Sequence, residues 1–242
     1  MKNKIKLDNV PSEFKSRLED SIFYKFDFGL KEYKEFSIFN NTFISTIFGF
    51  SAIDIDFFSN FNSIGTIKKA MNEADKIAKE FLIPDFQKPL LFFSYKLSFE
   101  KKLFEIKEDL KLIKNHNFDV FELHVDHNDF SHIKSILEFI NLNLVDRAFS
   151  FNISRTKFSN ANMIELIKLA NSKLKRNIMI EVEGETSTNK KYNESNQTIQ
   201  TISTADIINK QLKLKELKYK KIPILLSGGT NSKTAELARK CG

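Results

Sequence analysis

The chain has 242 residues, 41% of them hydrophobic, and a formal charge of +7. That length suits one (β/α) barrel and is enough to bury most of its apolar surface without staples. The single cysteine, Cys241, excludes a disulfide framework and any cysteine-ligated zinc or iron–sulfur centre within one chain, and no 18-residue stretch is apolar and uncharged enough to read as a membrane span.

Residues 1–21 show weak periodicity and no apolar run after their lysines, so they read as an N-terminal extension and not as a secretory signal. From residue 22 to 242 a single pattern repeats. Seven short stretches rich in Phe, Ile, Val and Leu predict strands at 24–29, 52–58, 90–96, 120–125, 147–153, 177–183 and 222–227. Strands buried on both faces have this composition.

Amphipathic segments follow. Residues 64–81 carry Ile67, Ala70, Met71, Ala74, Ile77, Ala78 and Phe81 at helical spacing. Residues 104–113, 130–140, 162–174 and 204–217 behave alike. Ser63, Asp129 and Asn160 are the expected N-caps. Pro89 and Pro223 stand at strand starts, where a missing N–H costs little. The lysine-rich runs at 101–114 and 210–221 fall on predicted helices and read as solvated faces. They lack the arginines and interleaved surface aromatics of a nucleic-acid groove.

Strand–helix alternation at 25 to 40 residues per unit implies a parallel sheet. The expected fold is an α/β, TIM-type barrel with seven recognisable units and the eighth missing or truncated. Polar residues alternate inside the strands, as in Asp54/Asp56, Glu122/His124, Ser150/Asn152 and Glu181/Glu183. A barrel interior accepts that pattern better than an open sheet covered on both faces. The first strand also lacks the glycine-rich turn of a dinucleotide fold.

Two groups of residues could carry chemistry. The first is the turn after the last strand, Gly228, Gly229, Thr230 and Asn231, which leads into a short helix. Paired glycines let backbone approach a ligand, and a helix N-terminus favours an anion. The turn is therefore a candidate phosphate site, or a plain capped turn. The second is acidic. Asp54 and Asp56 share a strand face, as do Glu122, His124 and Asp126, and Glu181 and Glu183. Pointing inward, they could hold a divalent metal, perform acid–base chemistry, or satisfy one another as a buried ion-pair network. Lys96 could pair with them or serve as a Schiff-base lysine. His124, His127 and His132 lack a zinc spacing, so no metal and no cofactor is expected. The polar segment 184–200 is long for a loop and reads as a lid or a surface insertion.

The stretch from Phe118 to Val125, the strand Ile-Met-Ile-Glu-Val-Glu-Gly-Glu beginning at Ile178, and Ile-Leu-Leu-Ser-Gly-Gly-Thr-Asn-Ser-Lys-Thr beginning at Ile224 resemble the C-terminal domain of the light-dependent period protein family. Members occur in cyanobacteria, with relatives encoded in plastids. The resemblance implies a regulatory protein that feeds light or redox state to the circadian clock through a protein partner or a phosphorylated small molecule, in the cyanobacterial cytosol or plastid stroma. It does not extend to the family's ferredoxin-like cysteine motifs. Where those belong, residues 97–117 hold a lysine-rich helix. Relatives also continue into a last strand and helix beyond the equivalent of Cys241.

Overall fold

The computed structural model describes residues 25–28, 33–84, 86–97, 100–125, 129–155, 157–174, 178–183, 200–205, 207–208 and 224–227. Seven strands form one parallel sheet in chain order: β1 (Lys25–Asp27), β2 (Ala52–Asp56), β3 (Leu90–Lys96), β4 (Val120–Val125), β5 (Ala148–Ser154), β6 (Ile178–Glu183) and β7 (Ile224–Ser227). Helices alternate with them: α1 (Glu35–Ile47), the short α2 (Phe57–Asn60), α3 (Ile64–Glu80), α4 (Leu103–Lys114), α5 (Phe130–Asn143) and α6 (Asn160–Leu174). Residues 200–205 and 207–208 are also helical and lie between β6 and β7 in the chain. Among the described residues no helix is long and apolar enough to cross a membrane.

The sheet is curled. In a flat sheet, β1 and β6 would lie five strand spacings apart, about 24 Å. Yet Lys25 Nζ of β1 sits 2.6 Å from Glu181 Oε2 of β6. No pair of side chains spans that distance, so the strands must wrap round a common axis.

Strand alternation then sorts every residue to one of two faces. Ile53, Ile55, Phe93, Tyr95, Phe121, Leu123, Phe151 and Ile180 face outward and pack with Ile67, Ile106, Ile133, Leu137 and Ile167 of the helices. Burying each such side chain is worth roughly 1.5–3 kcal/mol. The inward residues near the strand starts form a separate apolar layer of Ala52, Leu90, Phe92, Val120, Ala148 and Met179. The next inward layer is polar.

The predicted strands 90–96 and 120–125 are observed to the residue. The second differs. The chain leaves β2 at Asp56, and Phe57 and Phe58 begin α2 instead of extending the strand. Asp56 causes the change, because its Oδ1 accepts hydrogen bonds from the backbone N–H groups of Phe58, at 2.9 Å, and Ser59, at 3.0 Å. Replacing Asp56 with alanine is expected to cost about 1 kcal/mol of stability, measured by urea unfolding.

The caps are also corrected in part. Asp129 caps α5 through His132 N–H, as expected. Ser63 makes no side-chain cap bond. At α6 the capping oxygen is Ser159 Oγ, which accepts from Asn162 N–H, and Asn160 is already helical. Phe81, expected on the buried stripe of α3, lies past its last turn and is 72% exposed.

Helix α1 was not among the predicted segments. Its inward face carries Ile38, Thr42, Ser45 and Thr46, while Phe36 is 76% exposed. The pattern is nearly inverted, so apolar spacing does not reveal which face is buried.

Candidate functional site

The polar layer is built from alternate positions on five strands. The register places Ser94 beside Glu122, Glu122 beside Ser150, His124 beside Asn152, and Asn152 beside Glu181. Asp54, Ser94, Glu122, Ser150, Asn152 and Glu181 are all buried. His124 lies nearer the C-terminal end of its strand, and its side chain is about a quarter exposed, at 25%.

Lys25 stands at the centre. Its ammonium lies 3.0 Å from Asp54 Oδ2, 2.7 Å from Glu122 Oε1 and 2.6 Å from Glu181 Oε2. It also sits 5.4 Å from the centre of the Phe92 ring, on the apolar layer below. Other side chains of the layer also meet these carboxylates. Ser94 Oγ donates to Asp54 Oδ1 at 2.5 Å, and Ser150 Oγ to Glu122 Oε2 at 2.7 Å. Asn152 Nδ2 donates to Glu181 Oε1 at 3.1 Å. His124 Nε2 meets Glu122 Oε1 at 2.9 Å.

Proton affinities follow from this wiring. Burial alone would strip Lys25 of its proton, but Asp54, Glu122 and Glu181 hold its pKa well above the ordinary lysine value. Burial would raise Glu122, yet the charge of Lys25 and the hydrogen bond from His124 take it well below the usual carboxylate range. His124 is opposed by burial and held up by its bond to Glu122, to about 9. Glu181 goes the other way. Burial, and then the charge of Glu122, push it up to about 7 against the pull of Lys25. The layer thus holds one carboxyl that exchanges its proton near neutrality beside a protonated imidazole. That combination suits acid–base work.

The ligand atoms of Asp54, Glu122 and His124 lie within 4.8 Å of one another, a spacing that could hold a metal ion. The Lys25 ammonium already contacts two of the three at 3.0 and 2.7 Å. A divalent ion there would have to displace it or bear the repulsion, so the arrangement fits Lys25 as the resident cation.

The sequence-predicted residues separate accordingly. Asp54, Glu122, His124 and Glu181 come together. Asp56 is a helix cap, and burial raises its pKa against the two N–H groups it accepts from. Lys96 is exposed at the end of β3, so the lysine among the acids is Lys25 and not Lys96. Glu183 ends β6 one layer nearer the mouth, partly exposed. His132 lies in the first turn of α5. A cleft on the rim, lined by Lys101, Lys102, Ser131 and His132 among others, includes none of the charged layer. Asp126, His127, the segment 184–199, Cys241 and the turn Gly228, Gly229, Thr230 and Asn231 lie outside the described residues.

Lys25, Ser94, Ser150 and Asn152 are the members that sequence reasoning left out of the site. A signal for Lys25 existed. In the predicted strand 24–29, Lys25 and Asp27 alternate with Tyr24, Phe26 and Phe28, the same polar parity that marked Asp54 and Glu122.

No protein-family model and no curated protein matches this chain.

Proposed function

We propose that the chain is a TIM-type (β/α) barrel of seven strand–helix units and that its charged inner layer is an acid–base site for a small polar molecule. The barrel reading rests on the unbroken β1 to β7 order and on the contact between β1 and β6. The functional reading rests on one observation. Carboxylates from β2, β4 and β6 converge on the single ammonium of Lys25 from β1, with Glu181 poised to give or take a proton near neutral pH. In such a site Glu181 moves the proton, Lys25 steadies developing negative charge, and His124 is the group that meets an incoming molecule first.

A thermal-shift screen of the full chain against small polar metabolites, phosphorylated ones included, tests this. A compound at 100 times its Kd should add about 2.7 kcal/mol of stability. The expected result is a compound that stabilises the native protein and not Glu181→Gln. Folded protein that responds to nothing in the panel would count against the proposal. A phosphorylated compound whose effect also disappears in Gly229→Val would extend the site to the Gly228–Asn231 turn.

A second reading follows the resemblance to the light-dependent period protein family. It makes the chain a regulatory barrel that acts through a protein partner, in cyanobacterial cytosol or plastid stroma. Its support in the structure is the exposure of Phe36, Phe48, Phe81 and Leu82, each above 70%. Exposed apolar side chains of this size support a partner surface where they adjoin one another.

A further inference from the structure

The polar layer leaves one buried acceptor unmatched and is short of positive charge, and both features fall at one place. The ammonium of Lys25, the hydroxyls of Ser94 and Ser150, Asn152 Nδ2 and His124 Nε2 all meet carboxylates. Lys25 has three donors and meets three carboxylates. One acceptor is left over. Asn152 Oδ1 is buried, in a residue 2% exposed, and has no hydrogen-bond partner among the described residues. A group left unmatched in this way carries its full desolvation penalty.

The charge count agrees. Asp54, Glu122 and Glu181, all ionised, bring three negative charges, against two positive from Lys25 and protonated His124. A proton on Glu181 removes the excess, and burial first, then the charge of Glu122, raise its carboxyl to about 7. Asn152 is paired in register with Glu181 and hydrogen-bonded to it, so the unmatched acceptor and the missing charge fall at these two side chains.

We propose that this position receives the primary ammonium group of a small ligand, held by Asn152 Oδ1 and the ionised Glu181 on the side of the layer where His124 opens to solvent. A bare metal ion fits less well. It would find two protein oxygens here, where hard cations take six or more ligands. An anion meets the surplus carboxylates of Asp54, Glu122 and Glu181. This inference rests on the acid–base reading of the same layer and specifies its substrate class.

Binding must expel the Glu181 proton, so affinity depends on pH. The charged and titrating groups that act on Glu181 are Lys25 from β1 and Glu122 and His124 from β4, and Asp54 from β2 shares the Lys25 ammonium with it. For a carboxyl that titrates near 7, the ionised fraction rises roughly tenfold from pH 6 to pH 8.

The experiment is calorimetric titration of the full chain with ethylammonium chloride, with sodium acetate, inorganic phosphate and potassium chloride as comparisons. The expected result is ethylammonium binding with Kd about tenfold lower at pH 8 than at pH 6, with protons released at pH 6. Asn152→Leu and Glu181→Gln should each lose it while keeping the native circular dichroism. If Asn152→Leu does not fold, Glu181→Gln carries the comparison. Failure of ethylammonium to bind, equal binding to Asn152→Leu, or potassium, acetate or phosphate binding in its place would overturn the proposal. If non-amine metabolites stabilise the protein in a Glu181-dependent way while ethylammonium does not, the acid–base site stands and the amine falls. If neither acts, both fall.

Discussion

Lys25→Met should lower the melting temperature by about 6–20 °C at pH 7, the largest effect expected of any single substitution in the layer. The reasoning is electrostatic. Removing one partner of a buried ion pair costs about 3–5 kcal/mol, because the remaining charge stays buried without compensation. Each kcal/mol moves Tm by about 2–4 °C in a chain of this size. Here a single ammonium compensates three carboxylates, at 3.0, 2.7 and 2.6 Å. Methionine keeps most of the volume, so packing against Phe92 survives and the loss reports charge.

Two companion measurements separate this account from a simple packing defect. Lys25→Met combined with Glu181→Gln should be less destabilised than the two single losses added together, since the second change removes a charge that the first left uncompensated. In Lys25→Ala, Mn²⁺ or Zn²⁺ should raise Tm, because Asp54, Glu122 and His124 then present ligand atoms within 4.8 Å with no ammonium among them. The native protein should not respond. A small loss in Lys25→Met, or equal metal responses in the two proteins, would contradict Lys25 as the resident cation.

The outline of this fold is written in its hydrophobic runs, and the site is written less completely. Strands β3 and β4 are bounded by abrupt composition changes, with Pro89 before β3 and Asp119 before β4, so pattern alone places them. The end of β2 is not legible in that way. Phe57 and Phe58 continue an apolar run, and what stops the strand is a side-chain cap from Asp56, an interaction between neighbours that periodicity does not register. Helix α1 is hidden for a related reason. It turns Thr42, Ser45 and Thr46 inward and spends one of its few polar bonds on itself, Thr46 Oγ1 to the Thr42 carbonyl at 2.7 Å.

For the site, strand parity marked Asp54, Glu122, His124 and Glu181, because inward polar residues stand out against Phe and Ile. Parity cannot tell which lysine reaches them. Lys96 has inward parity and stands next to His124 in register, yet it lies at the strand end, where solvent is available to its long chain. Lys25 begins its strand, level with Ala52 in the apolar layer, and its side chain runs along the inner face of the curled sheet to the acids one layer nearer the C-terminal strand ends. That choice depends on the curl of the sheet, a property of seven strands together.

The same layer makes stability depend on pH with an unusual sign. A carboxyl whose folded pKa is raised binds its proton more tightly in the native state. Glu181 therefore stabilises the fold below the ordinary carboxylate pKa near 4.5 and loses that contribution as pH rises to about 7. His124, raised to about 9, contributes fully below the ordinary histidine value near 6.5 and loses its share between there and 9. Glu122 is shifted down, so its contribution is present above the ordinary range and disappears as pH falls below it. Together these predict a Tm that peaks near pH 5 and declines toward pH 9. Each of the two upper steps is worth on the order of a few kcal/mol. The chain's overall charge of +7 acts in the opposite direction, since raising pH relieves self-repulsion. A falling Tm thus identifies the buried layer as its source. In Glu181→Gln the decline between pH 5 and 7 should flatten while the decline above 7 remains. A native Tm that rises from pH 5 to 9, or a Glu181→Gln curve parallel to the native one, would mean that Glu181 does not take up a proton on folding and could not serve as the exchanging acid.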